Sequence, residues 1–271
     1  MTIQRPAIRA LGVPAAARIE IPGGFPYTYL VKKSMNKNFK AVLFDVDETL
    51  FDRVLAQKAV LALIVQQLPQ VFSGYAPERV LAAFLKSDQI YTDLFNNSAP
   101  SEGSRDRRSK LFLQLLGIDE KYTAKITEFY LRDYPGVKAH VEGAVPVIKQ
   151  LSQKYQLGVV SNGYTDVQYR KLEAMGLRDL FSCIVLSEEF GIRKPDPGIF
   201  HQAALLLHMQ PQECLYVGDY YTNDVIGGKN AGMQACWLNR AAQKIPDEKI
   251  KPDYIITNFA ELPVLLEKHV S

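Results

Sequence analysis

The spacing of apolar positions changes along the chain, and the changes mark out its elements. Ala41 to Phe44 is a continuous apolar run, the length of one strand buried on both faces. After Phe51 the period turns helical. Val54, Leu55, Leu61, Ile64, Val65 and Leu68 recur near 3.6 residues and predict a helix over 54–68. Pro77 opens a second helix, where its missing N–H costs little. A third runs from Ser104 to Leu116, closed by Gly117, and a fourth from Asp119 to Tyr134, stopped by Pro135–Gly136. These four helices follow one another with no strand between them.

From Val141 onward strand and helix alternate. Strands are predicted at Gln156–Ser161, Phe181–Leu186, Glu213–Gly218, Gln234–Leu238 and Tyr254–Ile256. Helices are predicted at Gly143–Lys154, Thr165–Met175, Pro197–Leu207, Asn223–Ala231 and Phe259–Val270. Such alternation predicts an α/β fold, a doubly wound parallel sheet with helices on both faces. The expected organisation is a core at 39–52 and 137–271 that carries an all-helical cap domain inserted at 53–136. Residues 1–38 read differently. Pro6, Pro14, Pro22 and Pro26 interrupt any helix, so a poorly ordered leader is expected, with Met35 as the natural start.

In a doubly wound sheet, ligands bind at the carboxyl ends of the strands. The first strand ends in Asp45, Asp47, Glu48 and Thr49, a poor ending for a core strand. Two carboxylates two residues apart can share one site, one attacking while the other moves a proton or helps hold a cation. The next strand ends in Ser161–Asn162–Gly163. The third leads to Lys194–Pro195–Asp196–Pro197. The fourth ends in Gly218–Asp219, with Asn223–Asp224 at the following helix start.

These four stretches, in this order, resemble the four motifs of the haloacid-dehalogenase-like hydrolase superfamily, beginning with DxDxT after an apolar strand. The position of the helical insertion resembles the cap of its phosphatase-type subgroup. The resemblance covers about residues 40–271 and implies a Mg²⁺-dependent phosphatase that works through an aspartyl-phosphate. It implies Asp45 as nucleophile and Asp47 as general acid and base, with Thr49 holding Asp47 in place. Ser161, Asn162, Lys194 and Thr49 would bind the phosphoryl group. Asp45, Asp219 and the Asp47 backbone carbonyl would ligate Mg²⁺, with Asp224 holding a bound water or bracing the site. The implied substrate is a small phosphorylated metabolite, leaning to nucleoside 5′-monophosphates. The competing readings are a metal-free 2-haloacid dehalogenase, a phosphomutase and a non-catalytic binding member. Asp47 opposes the dehalogenase, whose first motif resembles DxYGT.

Composition narrows the picture further. Hydrophobic residues make up 47% and charged residues 23%, an ordinary globular balance. The net charge of +3 comes from the first 40 residues, which hold seven basic residues and one acid; the remainder sits at −3. A slightly acidic body argues against a nucleic-acid polymer as partner. No apolar run reaches the roughly 18 residues that a membrane span needs. Cys183, Cys214 and Cys236 fit neither a disulfide framework nor a zinc pattern, and are expected to be reduced, buried thiols in a cytoplasmic protein. A monomer or weak dimer is expected. Arg105, Arg107, Arg108 and Lys110 form a basic run that reads first as a solvated helix face. Its sharper reading is that one arginine reaches the substrate's distal group. Gly227–Gly228–Lys229–Asn230 lacks the spacing of a phosphate loop, and His140, His201, His208 and His269 attract no role.

Overall fold

The computed structural model describes residues 18–20, 26–28, 39–97, 105–246 and 249–268. It divides into two units, residues 1–36 and 37–271. In the first, β1 (Arg18–Glu20) and β2 (Pro26–Thr28) pair antiparallel, with Ile19 opposite Tyr27. The expected poor order of the leader otherwise falls outside the described residues.

The second unit is built on a six-stranded sheet: β3 (Ala41–Phe44), β4 (Gln156–Ser161), β5 (Cys183–Leu186), β6 (Cys214–Gly218), β7 (Gln234–Leu238) and β8 (Tyr254–Ile256). Its order is β5-β4-β3-β6-β7-β8, and every pairing is parallel. The chain moves outward from β3 through β4 to β5, then returns to β6 on the other side of β3. The topological switch therefore lies between β3 and β6, where such sheets bind ligands.

Both faces of the sheet are covered, as the continuous apolar runs require. Val42 and Phe44 point into one core, with Leu157, Val217, Leu172 and Phe259; Ala41 and Leu43 point into another, with Val160, Ile199, Phe200 and Tyr216. Helices α6 (Ala144–Leu151), α7 (Thr165–Ala174) and α11 (Glu261–Glu267) supply the first core, and α9 (Pro197–Leu206) the second. Two shorter helices, α8 (Ser187–Phe190) and α10 (Gly227–Asn230), follow β5 and β6. The single helix expected over Asn223–Ala231 is instead a π-helical turn, Tyr221–Ile226, running into α10. That wider turn lets Asp224 fold back over Gly218, as described below.

Between β3 and β4 the described residues form no further strand of the sheet; they form helices α1 (Arg53–Gln67), α2 (Pro69–Phe72), α3 (Pro77–Asn97), α4 (Arg105–Leu116) and α5 (Thr123–Asp133), with 3₁₀ turns at Glu120–Tyr122 and Tyr134–Gly136, and then α6. Asp52 caps α1 by accepting from the Leu55 N–H at 2.8 Å. Among the described residues the insertion shares its core with the sheet. Phe84, Phe112 and Ile126 belong to the same apolar cluster as Phe44 and Phe51 of the sheet side. No described helix is long and apolar enough to cross a membrane.

The three cysteines are free and buried. Burial pushes the Cys183 and Cys214 thiols up to about 12 and raises Cys236 as well. In the folded protein at pH 8, a thiol reagent should therefore label none of them within minutes, whereas all three should react in denaturant. Fast labelling of the native protein, followed by mass spectrometry, would contradict this packing.

Candidate active site

One cavity of about 280 Å³ opens where the carboxyl ends of the strands meet the inserted helices. Asp45, Asp47, Ser161, Asn162, Lys194, Asp219 and Asp224 all line it. The sheet register explains the convergence. Phe44 pairs with Val159 on one side and Val217 on the other, so Asp45 leaves β3 level with the ends of both neighbours. Its N–H still donates to the Val217 carbonyl at 3.0 Å.

Lys194 lies at the centre, only 5% exposed. Its Nζ donates to Asp45 Oδ1 at 2.7 Å, Asp224 Oδ1 at 2.7 Å and the Tyr216 hydroxyl at 2.9 Å. All three donors of the ammonium are thereby used. Burial opposes its charge, but Asp224 and Asp45 outweigh burial and raise its proton affinity. A solvated loop lysine is thus excluded. Tyr216, fully buried in β6, donates in turn to the Val160 carbonyl at 2.8 Å. Asp224 is fixed through its other oxygen by the Tyr220 N–H at 2.8 Å. Its side chain lies so close over Gly218 that a Cβ there would fall 2.4 Å from the carboxylate, which requires glycine at 218.

Asp45, Asp219 and Asp224 place carboxylate oxygens within 4.8 Å of one another. Burial, opposed by Lys194, pushes the Asp45 carboxyl up to about 6. Burial and then the charges of Asp224 and Asp45 push Asp219 well above the usual carboxylate range. Lys194 pairs with two of these three carboxylates, and the excess negative charge appears as the raised proton affinities of Asp45 and Asp219.

Thr49 departs from expectation. Its buried hydroxyl donates to Asp219 Oδ1 at 2.9 Å, not to Asp47. Glu48 takes a left-handed conformation, φ 58°, and this turn breaks the alternation that would keep Asp47 and Thr49 on one side. With its hydroxyl committed to Asp219, Thr49 does not reach into the cavity as the expected phosphoryl contact.

Asp47 is held by two residues that carry no motif. Lys171 Nζ donates to its Oδ1 at 2.6 Å and Gln168 Nε2 to its Oδ2 at 2.7 Å, while Arg53 Nε stands 4.0 Å away. Burial alone would raise the Asp47 carboxyl, yet Lys171 and Arg53 bring it below its usual value. Lys171 and Gln168 sit three residues apart on one face of α7, and Lys171 packs 4.8 Å from the centre of the Phe51 ring. Gln168 also reaches Ser161 Oγ at 3.3 Å, and its amide covers Gly163, where a Cβ would clash. Asn162 ties two strand ends together, accepting from the Lys194 N–H at 2.8 Å and donating to the Lys194 carbonyl at 2.9 Å. Its side chain is spent on that link, beyond its own turn.

The basic run on α4 splits. Lys110 pairs with Glu120 on the surface, as a solvated face would. Arg105 forks onto Asp166 at 2.8 and 2.7 Å and lies over the Tyr164 ring. Arg108, three residues on, is 4% exposed and lines the cavity.

The profile of the family described as haloacid dehalogenase-like hydrolase matches residues 42–238. The pyrimidine 5′-nucleotidase YjjG of Escherichia coli K12 is 29% identical over 84% of this chain and 98% of its own length. A glyceraldehyde 3-phosphate phosphatase of Methanopyrus kandleri is 31% identical over 81% of this chain and 91% of its own. Among solved structures, the putative hydrolase YfnB of Bacillus subtilis, bound to magnesium, is 28% identical with a TM-score of 0.69, covering 85% of this chain and 99% of that one.

Proposed function

Because the chain belongs to the haloacid dehalogenase-like hydrolases, we propose that it is a Mg²⁺-dependent phosphatase acting on small phosphorylated metabolites through a phosphoryl group carried on Asp45. The observation that carries this reading is the gathering of Asp45, Asp47, Lys194 and the Asp219–Asp224 pair in one cavity. The inserted helices act as its cap.

The donor set suits Mg²⁺. It consists of hard carboxylate oxygens, carries more negative charge than Lys194 balances, and lies at the switch point of the sheet. Asp45 and Asp219 would hold the ion with the Asp47 carbonyl, and Asp224 would brace them through Lys194. Bound there, the ion offsets the repulsion between a carboxylate and a phosphate dianion.

The side chains then divide the work. An Asp45 oxygen attacks phosphorus, the ester P–O bond breaks, and the leaving oxygen takes a proton from Asp47. In the free enzyme Asp47 is held charged by Lys171 and Arg53. The arriving dianion adds negative charge beside it and draws the needed proton onto it. In the second step water attacks the phosphoryl group, Asp47 accepts its proton, and Asp45 is regenerated as phosphate leaves. Ser161 donates to the phosphoryl oxygens from the end of β4. Lys194 keeps Asp45 aligned and limits the charge of the cluster.

The names of the relatives support a phosphate monoester and differ on which one: a pyrimidine nucleotide, glyceraldehyde 3-phosphate, N-acylneuraminate 9-phosphate. The expected lean to nucleoside 5′-monophosphates, drawn from the first motif and the helical insertion, finds support in the first of these names. The dehalogenase reading lacks support at Asp47, whose carboxylate is built into a hydrogen-bonded site. Solved dehalogenases at 24% identity and below share the fold alone.

A panel of phosphorylated metabolites, assayed with Mg²⁺ and with excess chelator, tests the proposal. Phosphate release should fall at least about 10³-fold on chelation and return on adding Mg²⁺. Halide release from 2-haloacids in chelator, with no phosphate release under any condition, would overturn it.

A further inference from the structure

Arg108 projects from α4 into the cavity wall formed by the inserted helices. It is 4% exposed, yet its guanidinium makes no hydrogen bond to any described residue. The nearest carboxylate, Asp88, stands 3.8 Å from Arg108 Nη1, beyond hydrogen-bond reach. Asp88 faces Arg108 with Oδ1 and is engaged through its other oxygen. Its Oδ2 accepts from Arg53 Nη2 at 2.8 Å and from the Gln57 amide. Arg53 uses Nη2 a second time on Thr92 Oγ1, at 2.8 Å. Two guanidiniums thus share one carboxylate, with Arg53 hydrogen-bonded to Oδ2 and Arg108 only within ion-pair range of Oδ1. Arg105 is neutralised separately by Asp166.

A buried guanidinium with unmet donors is costly, because desolvation is not offset by hydrogen bonds. A purely structural arginine would be expected to close on Asp88. Stacking on the Tyr130 ring fixes the plane of Arg108 without using its N–H groups. Arg108 also stands apart from the reacting groups. Its link to Asp47 runs through Asp88 and Arg53, and among the described residues no hydrogen bond or ion pair joins it to Asp45, Lys171 or Lys194. The cavity therefore has two ends of opposite need. At the sheet end, carboxylates outnumber cations; at the helical end, Arg53 and Arg108 share Asp88, and the Arg108 donors have no hydrogen-bond acceptor among the described residues.

We propose that Arg108 binds an oxyanion, a carboxylate or a second phosphate, at the non-reacting end of the substrate. This rests on the phosphatase reading and narrows it: the substrate class is phosphate monoesters that carry a further acidic group. The planar fork of a guanidinium matches the two oxygens of either oxyanion. A neutral alcohol or a nucleobase carbonyl would satisfy a donor and leave the charge unbalanced.

The test uses matched pairs of ω-phosphorylated carboxylic acids and ω-phosphorylated alcohols of equal chain length, a bisphosphate series, nucleoside 5′-monophosphates and phenyl phosphate. For the wild-type protein, the best acid or bisphosphate should exceed its alcohol by at least about 30-fold in kcat/KM, mostly through KM. Preference for the acid identifies the oxyanion as carboxylate, and preference for the bisphosphate identifies it as phosphate. In Arg108→Gln the ratio should collapse toward one, while Arg108→Lys should keep part of it. The wild-type ratio stands even if a variant fails to fold. If wild type hydrolyses phenyl phosphate but turns over alcohols or nucleotides as well as acids and bisphosphates, this proposal fails alone. If it hydrolyses no phosphate monoester at all, the phosphatase reading fails with it.

Discussion

Asp45→Asn should lose at least about 10⁴-fold in kcat, the scale on which removal of an attacking group is felt. The change is close to isosteric, and the surroundings explain why the fold should survive it. Asp45 sits buried among Asp219 and Asp224, and its carboxyl is pushed up to about 6 mainly by burial. The charged form is thus held at a cost to stability that asparagine removes. Lys194 keeps Asp224 as its partner at 2.7 Å. In chelator, the melting temperature of the variant should equal or exceed that of wild type, while turnover vanishes. Near-normal activity in a well-folded variant would remove Asp45 from the role of nucleophile.

Lys171→Met should lower kcat by about 10²-fold, the low end of what general acid–base catalysis contributes, and leave KM within a few-fold. Methionine replaces the stem of the lysine in its cradle against Phe51 and Tyr134 and deletes the charge. Asp47 then keeps Gln168 on one oxygen and loses the 2.6 Å donor on the other. Burial disfavours the charge on Lys171 and Asp47 restores it only in part, so the pair depends on each partner's presence. Gln168→Met acts on the same carboxylate. The double variant should therefore lose less than the product of the two single losses. A rise in KM with kcat intact would instead make Lys171 a substrate-binding residue. Steady-state kinetics on the four proteins separates these outcomes.

What the sequence discloses of this site follows how local the signal is. Short apolar runs that stop at acids or hydroxyls place Asp45, Ser161 and Asp219 at strand ends from sequence alone, because one parallel sheet aligns those ends. The fold class is legible for the same reason. Lys171 and Gln168 are not legible in this way. They sit in TDVQYRKLEA, whose only hint is that two polar residues three apart share a face with buried Leu172. Their partner lies more than 120 positions away in sequence. Arg108 is hidden by its neighbours, since a run of basic residues looks solvated until the helix turns one of them inward. Thr49 misleads because alternation holds only within a strand, and Glu48 ends it with a left-handed turn. The π-helical turn at Tyr221–Ile226 has no distinct spacing in sequence, so Asp224 reads as an ordinary helix start.

In the proposed reaction the phosphoryl group passes through Asp45. Enzyme quenched in acid during turnover, reduced with borohydride and digested, reports this directly, because a phosphorylated aspartate is reduced to homoserine. Homoserine is expected at position 45, dependent on substrate and absent without it. Homoserine at position 47, or phosphoryl on any residue other than Asp45, would contradict it.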